Sequence, residues 1–462
     1  MKKAILLWIL GVGVLWIAGG TLPALAAYSA HQNDSDINNF LTLYPFTVPS
    51  KLNDCLLCHP GGTITTNGKT SSYGSCDYCH NTYGIQPPHG TVPLNPYGLA
   101  YKNAGRNQSA LQAIEPLDSD GDGFGNLVEI KSLTFPGDPK DYPGLTPAPA
   151  VSMNMERILN LKGYCQFMLN NASKSTDWYA RYCGARISDL LNQLHMSSAA
   201  TQITVFAPDG FSKAFPIESS TQYNVKGPYP NGYYYGGLDF VQYGYDPGYP
   251  NGYKIPDKLY MLLGYLRDGD PLTIGMLAPD PNNPGSLVLN GEGPYRLIVP
   301  QMVGGGPDRP STANPVGDGW DYDANKDHNA GFSVRSVSAI RVEPLPAGTT
   351  DFNWNEGGWN LVDQGRLAIY GAIDPHTYPV SGKILDPKGN PIPGVKLSFG
   401  LQNLGQVGST TSDGSGKFKT TLPLGEYVMI PAKDGYAFDP ASVTFSLTEK
   451  GYKMDFTGTS SP

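Results

Sequence analysis

Residues 55 to 80, CLLCHPGGTITTNGKTSSYGSCDYCH, hold four of the chain's six cysteines in two Cys-x-x-Cys-His units. Whatever surrounds such a pair has to fold around the group it binds. The 17 residues between the pairs fall within zinc-ribbon spacing, and in an oxidising compartment each pair could also close a disulfide. Neither use needs a histidine directly after each pair, yet both pairs have one, His59 and His80. Covalent haem attachment does need it: two thiols add to the vinyl groups and the next residue sets an imidazole under the iron. Cys55 and Cys58 with His59, and Cys76 and Cys79 with His80, therefore read as attachment sites for two c-type haems, with zinc as the competing metal. Two six-coordinate irons require two more ligands. His31 and His89 are the other histidines of this region, which fits bis-histidine ligation; the alternative is one open iron, or one bound by methionine or another group.

Downstream, DSDGDGFGNLVE runs from Asp118 to Glu129. Asp118, Asp120 and Asp122 occupy positions 1, 3 and 5 of an EF-hand-like loop, and Gly123 stands where the chain must turn. The carbonyl of Phe124, with Asn126 and Glu129, completes an oxygen set suited to Ca2+. Gly125 replaces the branched apolar residue usual at position 8, so a calcium staple is expected rather than a paired, opening sensor.

The N-terminus, MKKAILLWILGVGVLWIAGGTLPALAAYSA, has two lysines, an apolar run and small residues ending near Ala26 and Ala27. It reads as a secretory signal peptide over residues 1–27, with an uncleaved anchor as the alternative. No later segment is apolar enough to span a bilayer, so an exported protein is expected, in the periplasm or on the outer cell surface. At 462 residues, two to four domains are expected. The 56 glycines and 41 prolines, with 16% charged residues, favour turns and β-structure. A formal charge of −8 excludes a basic footprint for nucleic acid and favours basic partners.

The order of motifs from His31 through the two CxxCH units, LNPYG (94–98), the DSDGDG loop and TFPGD (134–138) resembles exported cytochromes of metal-reducing bacteria. Gly291-Glu292-Gly293-Pro294 is similar to the signature of GEGP motif-containing diheme proteins. The resemblance implies a diheme electron-transfer protein whose partners are other redox proteins or cytochromes, and it brings no established substrate.

After the proline-rich joint, RISDLLNQLHM places Ile187, Leu190, Leu191 and Leu194 at helical spacing. ITVFAPDGFSKAFPIE reads as a hairpin around Asp209-Gly210, residues 257–268 as helical, and YRLIVPQ and GFSVRSVSAIRVEPLP as strands. That order is similar to the molybdopterin-binding domain of the sulfite oxidase family, with Arg296 and Arg335 on matching stretches. Neither Cys165 nor Cys183 sits in that family's ligand loop, and residues 200–300 are poor in the cations a pterin pyrophosphate needs. The expectation is the fold without the molybdopterin cofactor, with Cys165 and Cys183 as a disulfide candidate. The tyrosine-rich stretch 227–254 reads either as an interaction surface, through which the chain could self-associate, or as a loop covering its own core. His195 and His328 read as structural residues, as does the acidic turn 318–328.

From Tyr378 onward, short alternating runs such as Val395, Leu397 and Phe399 mark a β-sandwich. SGKILDPKGNPIPGVKLSF and TTSDGSGKFKTTLPLGEYVM look like the carboxypeptidase regulatory-like module. The expected fold is thus multidomain: a small, mainly α and irregular diheme domain with the calcium loop (28–145), an α+β sulfite-oxidase-like domain (146–375) and a C-terminal β-sandwich (376–462). The expected function is extracytoplasmic electron transfer by a carrier rather than an enzyme. A molybdenum oxidoreductase draining into its own haems and a haem-bearing adhesive surface protein are the alternatives.

Overall fold

The computed structural model describes residues 35–47, 52–53, 55–60, 62–66, 69–73, 94–173, 177–209, 211–235, 250, 252–279, 287–308, 327–352, 358, 361–401 and 405–460. The expected signal peptide, His31, Cys76, Cys79, His80 and His89 lie outside the described residues. So do 236–249 of the tyrosine-rich stretch and 318–326 of the acidic turn. The described part is mostly β with few helices, and no described helix is long and apolar enough to cross a membrane.

The first unit is built from short helices. Asn95 caps the helix Pro96–Ala104, accepting from Gly98 N with proline at its start, and Gly105 ends it in a left-handed turn. Asn107 caps Gln108–Ile114 in the same way, and Asn126–Ser132 follows the acidic loop. With Ser35–Leu43 they enclose Phe40, Leu57, Tyr97, Leu111, Ile114 and Ile130. The hydroxyl of Tyr44 donates to Glu115 (2.8 Å), and Arg106 pairs with Asp36.

In the middle unit, one sheet orders Asp270–Pro271, Leu262–Arg267, Trp178–Arg186 and Gly163–Asn170, with Arg296–Ile298 also on Leu262–Arg267. The segment expected to be helical around 257–268 thus contains a strand. Leu262 and Leu263 are both fully buried, and a strand covered on both faces loses the alternation that would reveal it. The SDLL stretch is helical over Ile187–Gln193. Its Ile187, Leu190 and Leu191 are fully buried, each contributing about 1.5–3 kcal/mol. The expected hairpin forms between Gln202–Phe206 and Ser212–Pro216.

A second sheet orders Ala150–Asn154, Arg366–Gly371, Ala339–Glu343, Gln202–Phe206 and Ser212–Pro216. Only its 339–343/366–371 pairing is parallel. Its residues divide between two cores. Val151, Met153, Ile340, Val342, Leu367 and Ile369 join the core of the middle unit. Ala150, Ala339, Ala368 and Tyr370 join that of the C-terminal sandwich. This sandwich pairs Lys417–Pro423, Thr377–Leu385, Phe456–Ser460 and Tyr436–Asp439 in one sheet, and Gly405–Thr411, Lys396–Leu401, Gly425–Ala432 and Val443–Leu447 in the other. Val395, Leu397 and Phe399 are fully buried between them.

Candidate functional site

The first Cys-x-x-Cys-His unit forms a single tight turn: Cys58 N and His59 N both donate to Cys55 O, at 3.2 and 3.1 Å. Residues at i, i+3 and i+4 of a helical turn share one side, so this backbone groups Cys55, Cys58 and His59 as shared attachment to one flat ligand requires. All three are partly exposed.

The turn is held by Asn95. Its Nδ2 donates to Leu56 O (3.1 Å), Leu57 O (3.0 Å) and, more weakly, His59 O (3.5 Å). Its Oδ1 accepts from Gly98 N at 2.8 Å, and its own N–H donates to Cys58 O at 3.0 Å. One nearly buried amide therefore starts a helix and ties that helix to the cysteine turn. Gly98 permits the approach, since a Cβ there would lie 2.1 Å from Cys58 O. Gly137 packs on the other side, where a Cβ would come 2.6 Å from the Asn95 carboxamide. LNPYG, TFPGD and the first CxxCH unit, apart in sequence, are thus one constellation. The clasp was not among the expected site residues, although an Asn-Pro step before an apolar run is a legible helix start. Next to it, the fully buried Tyr97 hydroxyl has no hydrogen-bond partner among the described residues. Burial, with Cys58 nearby, pushes its pKa well above the usual tyrosine value.

The second candidate centre is the acidic loop. Oxygens of Asp118, Asp120 and Asp122 all lie within 4.8 Å of one another, close to the span of a coordination sphere with metal–oxygen bonds of about 2.3–2.6 Å. Asp118 accepts from Gly121 N (2.7 Å) and Gly123 N (3.0 Å), and Asp122 from Phe124 N (2.8 Å). Gly123 turns the chain at φ +102°. The Phe124 ring stacks on Tyr142 at 6.3 Å. Glu129 is fully buried and, among the described residues, neither of its carboxylate oxygens has a hydrogen-bond partner; Asp120 Oδ2 and Asp122 Oδ2 are likewise buried and without a partner there. Burial first, then Asp120, Asp122 and Asp118, pushes the Glu129 pKa up to about 9. Burial and Asp122 push that of Asp120 to about 6. A fully buried carboxylate facing three others with no donor is unfavourable unless a cation or protons neutralise it.

Asn126, expected among the cation ligands, opens the helix at the exit of this loop. It is fully buried; its Nδ2 donates to Ile114 O (2.7 Å) and its Oδ1 accepts from Ser119 N (3.2 Å). The carbonyls ending the Gln108–Ile114 helix have no partner within it, and the amide serves one of them, clamping the loop entry to its exit.

In the middle unit Cys165 and Cys183 form a disulfide across directly opposed residues of neighbouring strands. Both sulfurs are thereby used. The GEGP glutamate, Glu292, receives Arg296 Nη1 at 2.6 Å and Arg267 Nη1 at 3.3 Å. Both guanidinium groups lie within 6 Å of the Trp178 ring. Arg296, one of the two arginines singled out in the sequence, is therefore paired with Glu292, and the other, Arg335, is exposed. In the tyrosine-rich stretch, Tyr234 is buried and packs with Phe167 and Tyr179, and the Tyr179 hydroxyl donates to Tyr233 O at 2.7 Å. In the acidic turn, Asp327 accepts from the Tyr223 hydroxyl and from the backbone of Met302 and Val303, while His328 Nε2 lies 3.2 Å from Asp308.

Comparison with curated proteins finds no match. Among solved structures, the chain is similar to the major pilin subunit BcpA of Bacillus cereus, at 16% identity and TM-score 0.17, over 21% of this chain and 34% of that one. It is also similar to a streptococcal ancillary pilin, at 20% identity and TM-score 0.16, over 20% of this chain and 35% of the pilin. A third is the 5-hydroxyisourate hydrolase of Klebsiella pneumoniae, at 16% identity and TM-score 0.14, over 18% of this chain and 94% of the hydrolase. The chain thus spans about a third of each pilin's length, and scores this low carry no functional argument. Residues 379–457 match the carboxypeptidase regulatory-like domain family, and the C-terminal sandwich is a domain of that kind.

Proposed function

We propose that this chain is an exported diheme c-type cytochrome that relays electrons outside the cytoplasm, with a calcium-stapled haem unit carried on two further non-catalytic scaffolds. The observation that carries the reading is the Asn95 clasp. It holds Cys55, Cys58 and His59 on one turn and gathers around them the motifs that accompany such units in the resembled cytochromes. Cys55 and Cys58 would form the thioethers of the first haem, with His59 as its proximal ligand. Cys76, Cys79 and His80 take the same roles for the second, and His31 and His89 the distal positions, on sequence alone. Haem supplies one-electron chemistry when bound; the chain's part is to fix the attachment turn, bury its Leu57 in the same core as Tyr97, and offer the Tyr97 hydroxyl to a polar group beside Cys58.

The orphaned carboxylates of Glu129, Asp120 and Asp122 support calcium in the loop, with Asp118 and the Phe124 carbonyl completing the set and Asn126 acting as a clamp. For the middle unit, a sulfite-oxidase-like scaffold without molybdopterin is favoured by the disulfide, which removes Cys165 and Cys183 as molybdenum ligands. Its partners would be other redox proteins, in the periplasm or on the cell surface.

The test is a pyridine haemochrome count with elemental analysis on protein matured in a host that assembles c-type haem. Two haems and one calcium per chain are expected, falling to one haem in Cys55→Ala/Cys58→Ala. Zinc in place of haem, or a haem count unaffected by that variant, would overturn the reading.

A further inference from the structure

Two histidines far apart in sequence meet where the middle unit passes into the C-terminal sandwich. His195 follows the Ile187–Gln193 helix in a left-handed conformation, φ +49°. His376 stands one residue before the strand Thr377–Leu385. Their ring centroids lie 4.5 Å apart and the rings are nearly perpendicular, at 88°. Both residues are exposed. The backbone around them is tied: Asp374 N donates to Leu194 O (3.1 Å) and to His195 O (3.3 Å), and Ser197 N to Ala372 O (2.9 Å).

The tautomer of His195 follows from its partner. Its Nδ1 lies 3.0 Å from Asp374 O, and a carbonyl oxygen can only accept, so Nδ1 carries the proton and Nε2 carries the lone pair. A backbone carbonyl on the far ring nitrogen is the support that metal-ligating histidines ordinarily have. The ring separation also fits. With metal–nitrogen bonds of about 2.0–2.1 Å, two imidazoles at 90–110° on one ion have centroids about 4.5–5.2 Å apart.

We propose that His195 and His376 form a surface site for a divalent transition metal of the zinc, nickel or copper(II) class, which pins the entry of the C-terminal sandwich to the helix end of the middle unit. Imidazole nitrogen suits these ions and not calcium. Among the described residues the one cluster of three or more His, Cys, Asp or Glu is the separate aspartate trio, so the proposed site has two protein ligands. The site is independent of the haem reading.

The test is a zinc titration of the full, haem-loaded chain by calorimetry, with calcium saturating so that the acidic loop is filled. His195→Asn keeps a residue that accepts a left-handed backbone, and His376→Gln is an exposed change. Wild type should bind one equivalent of zinc that either variant weakens at least about tenfold, with the Soret spectrum unchanged. Zinc should also slow hydrogen exchange in peptides covering both 190–200 and 372–380. Unaltered zinc binding in both variants, or wild-type binding no tighter than millimolar, would overturn the proposal and leave the histidines as a packing contact.

Discussion

Glu129 gives the most exacting test of the acidic loop. In the calcium-free fold its pKa is about 9 against an ordinary 4.5. The folded value lies above the unfolded one, so the stability linked to this group is fully present below pH 4.5 and is lost as pH rises toward about 9. At pH 7 that loss is on the order of 3 kcal/mol, taking 1.36 kcal/mol per pKa unit. Calcium held by the ionised carboxylate at a hundred times its dissociation constant contributes about 2.7 kcal/mol, of comparable size and opposite sign. Glu129→Gln removes the charge while keeping the shape. In EDTA at pH 8 the variant should protect the unit more than wild type does, by about 1–3 kcal/mol, and calcium should add little. Wild type should show calcium protection that is large at pH 8 and small at pH 5. The assay is hydrogen exchange followed by mass spectrometry on peptides within 94–138, since a chain of several units has no single unfolding midpoint. A variant less protected than wild type in EDTA, yet equally responsive to calcium, would refute the reasoning.

Asn95→Ala removes a helix cap together with the bonds to the Leu56 and Leu57 carbonyls; a loss of about 2–3 kcal/mol is expected, read as faster exchange at 55–60 and a broadened spectrum for one haem. Cys165→Ser/Cys183→Ser opens a link between residues 18 apart and should lower the stability of the middle unit by about 3 kcal/mol, measured by hydrogen exchange in peptides covering 163–186 with and without reductant. Glu292→Gln strips the carboxylate from the buried Arg296 and should cost about 3 kcal/mol, with the double variant Glu292→Gln/Arg296→Met recovering part of it.

Several features were legible because local chemistry dictates them. The cysteine-histidine units, the Asp118–Glu129 oxygen pattern and the alternating C-terminal strands each follow from spacing alone, as does the apolar stripe of Ile187, Leu190, Leu191 and Leu194. The strand Leu262–Arg267 was not, because it lies inside a sheet covered on both faces and carries no alternation. Asn126 was legible only in part: its loop position suits a ligand, and only the folded chain adds that its amide also donates to a carbonyl at the neighbouring helix end.

By itself, the sequence determined which local patterns the chain carries: two Cys-x-x-Cys-His units, an acidic loop of regular oxygen spacing, a further cysteine pair and the alternation of a terminal sandwich. Tertiary structure alone decided how these parts are joined. The sheet containing Ala150–Asn154, Ala339–Glu343 and Arg366–Gly371 turns alternate residues toward two different cores, so the sandwich is docked on the middle unit rather than hung from a linker. Asn95 likewise acquires its role only when residues 36 to 39 positions away fold back onto it. His195 and His376 become neighbours only because Asp374 binds the helix end. Spacing reports what one segment can do, whereas contacts between segments depend on how whole faces are buried, and that is a property of the folded chain.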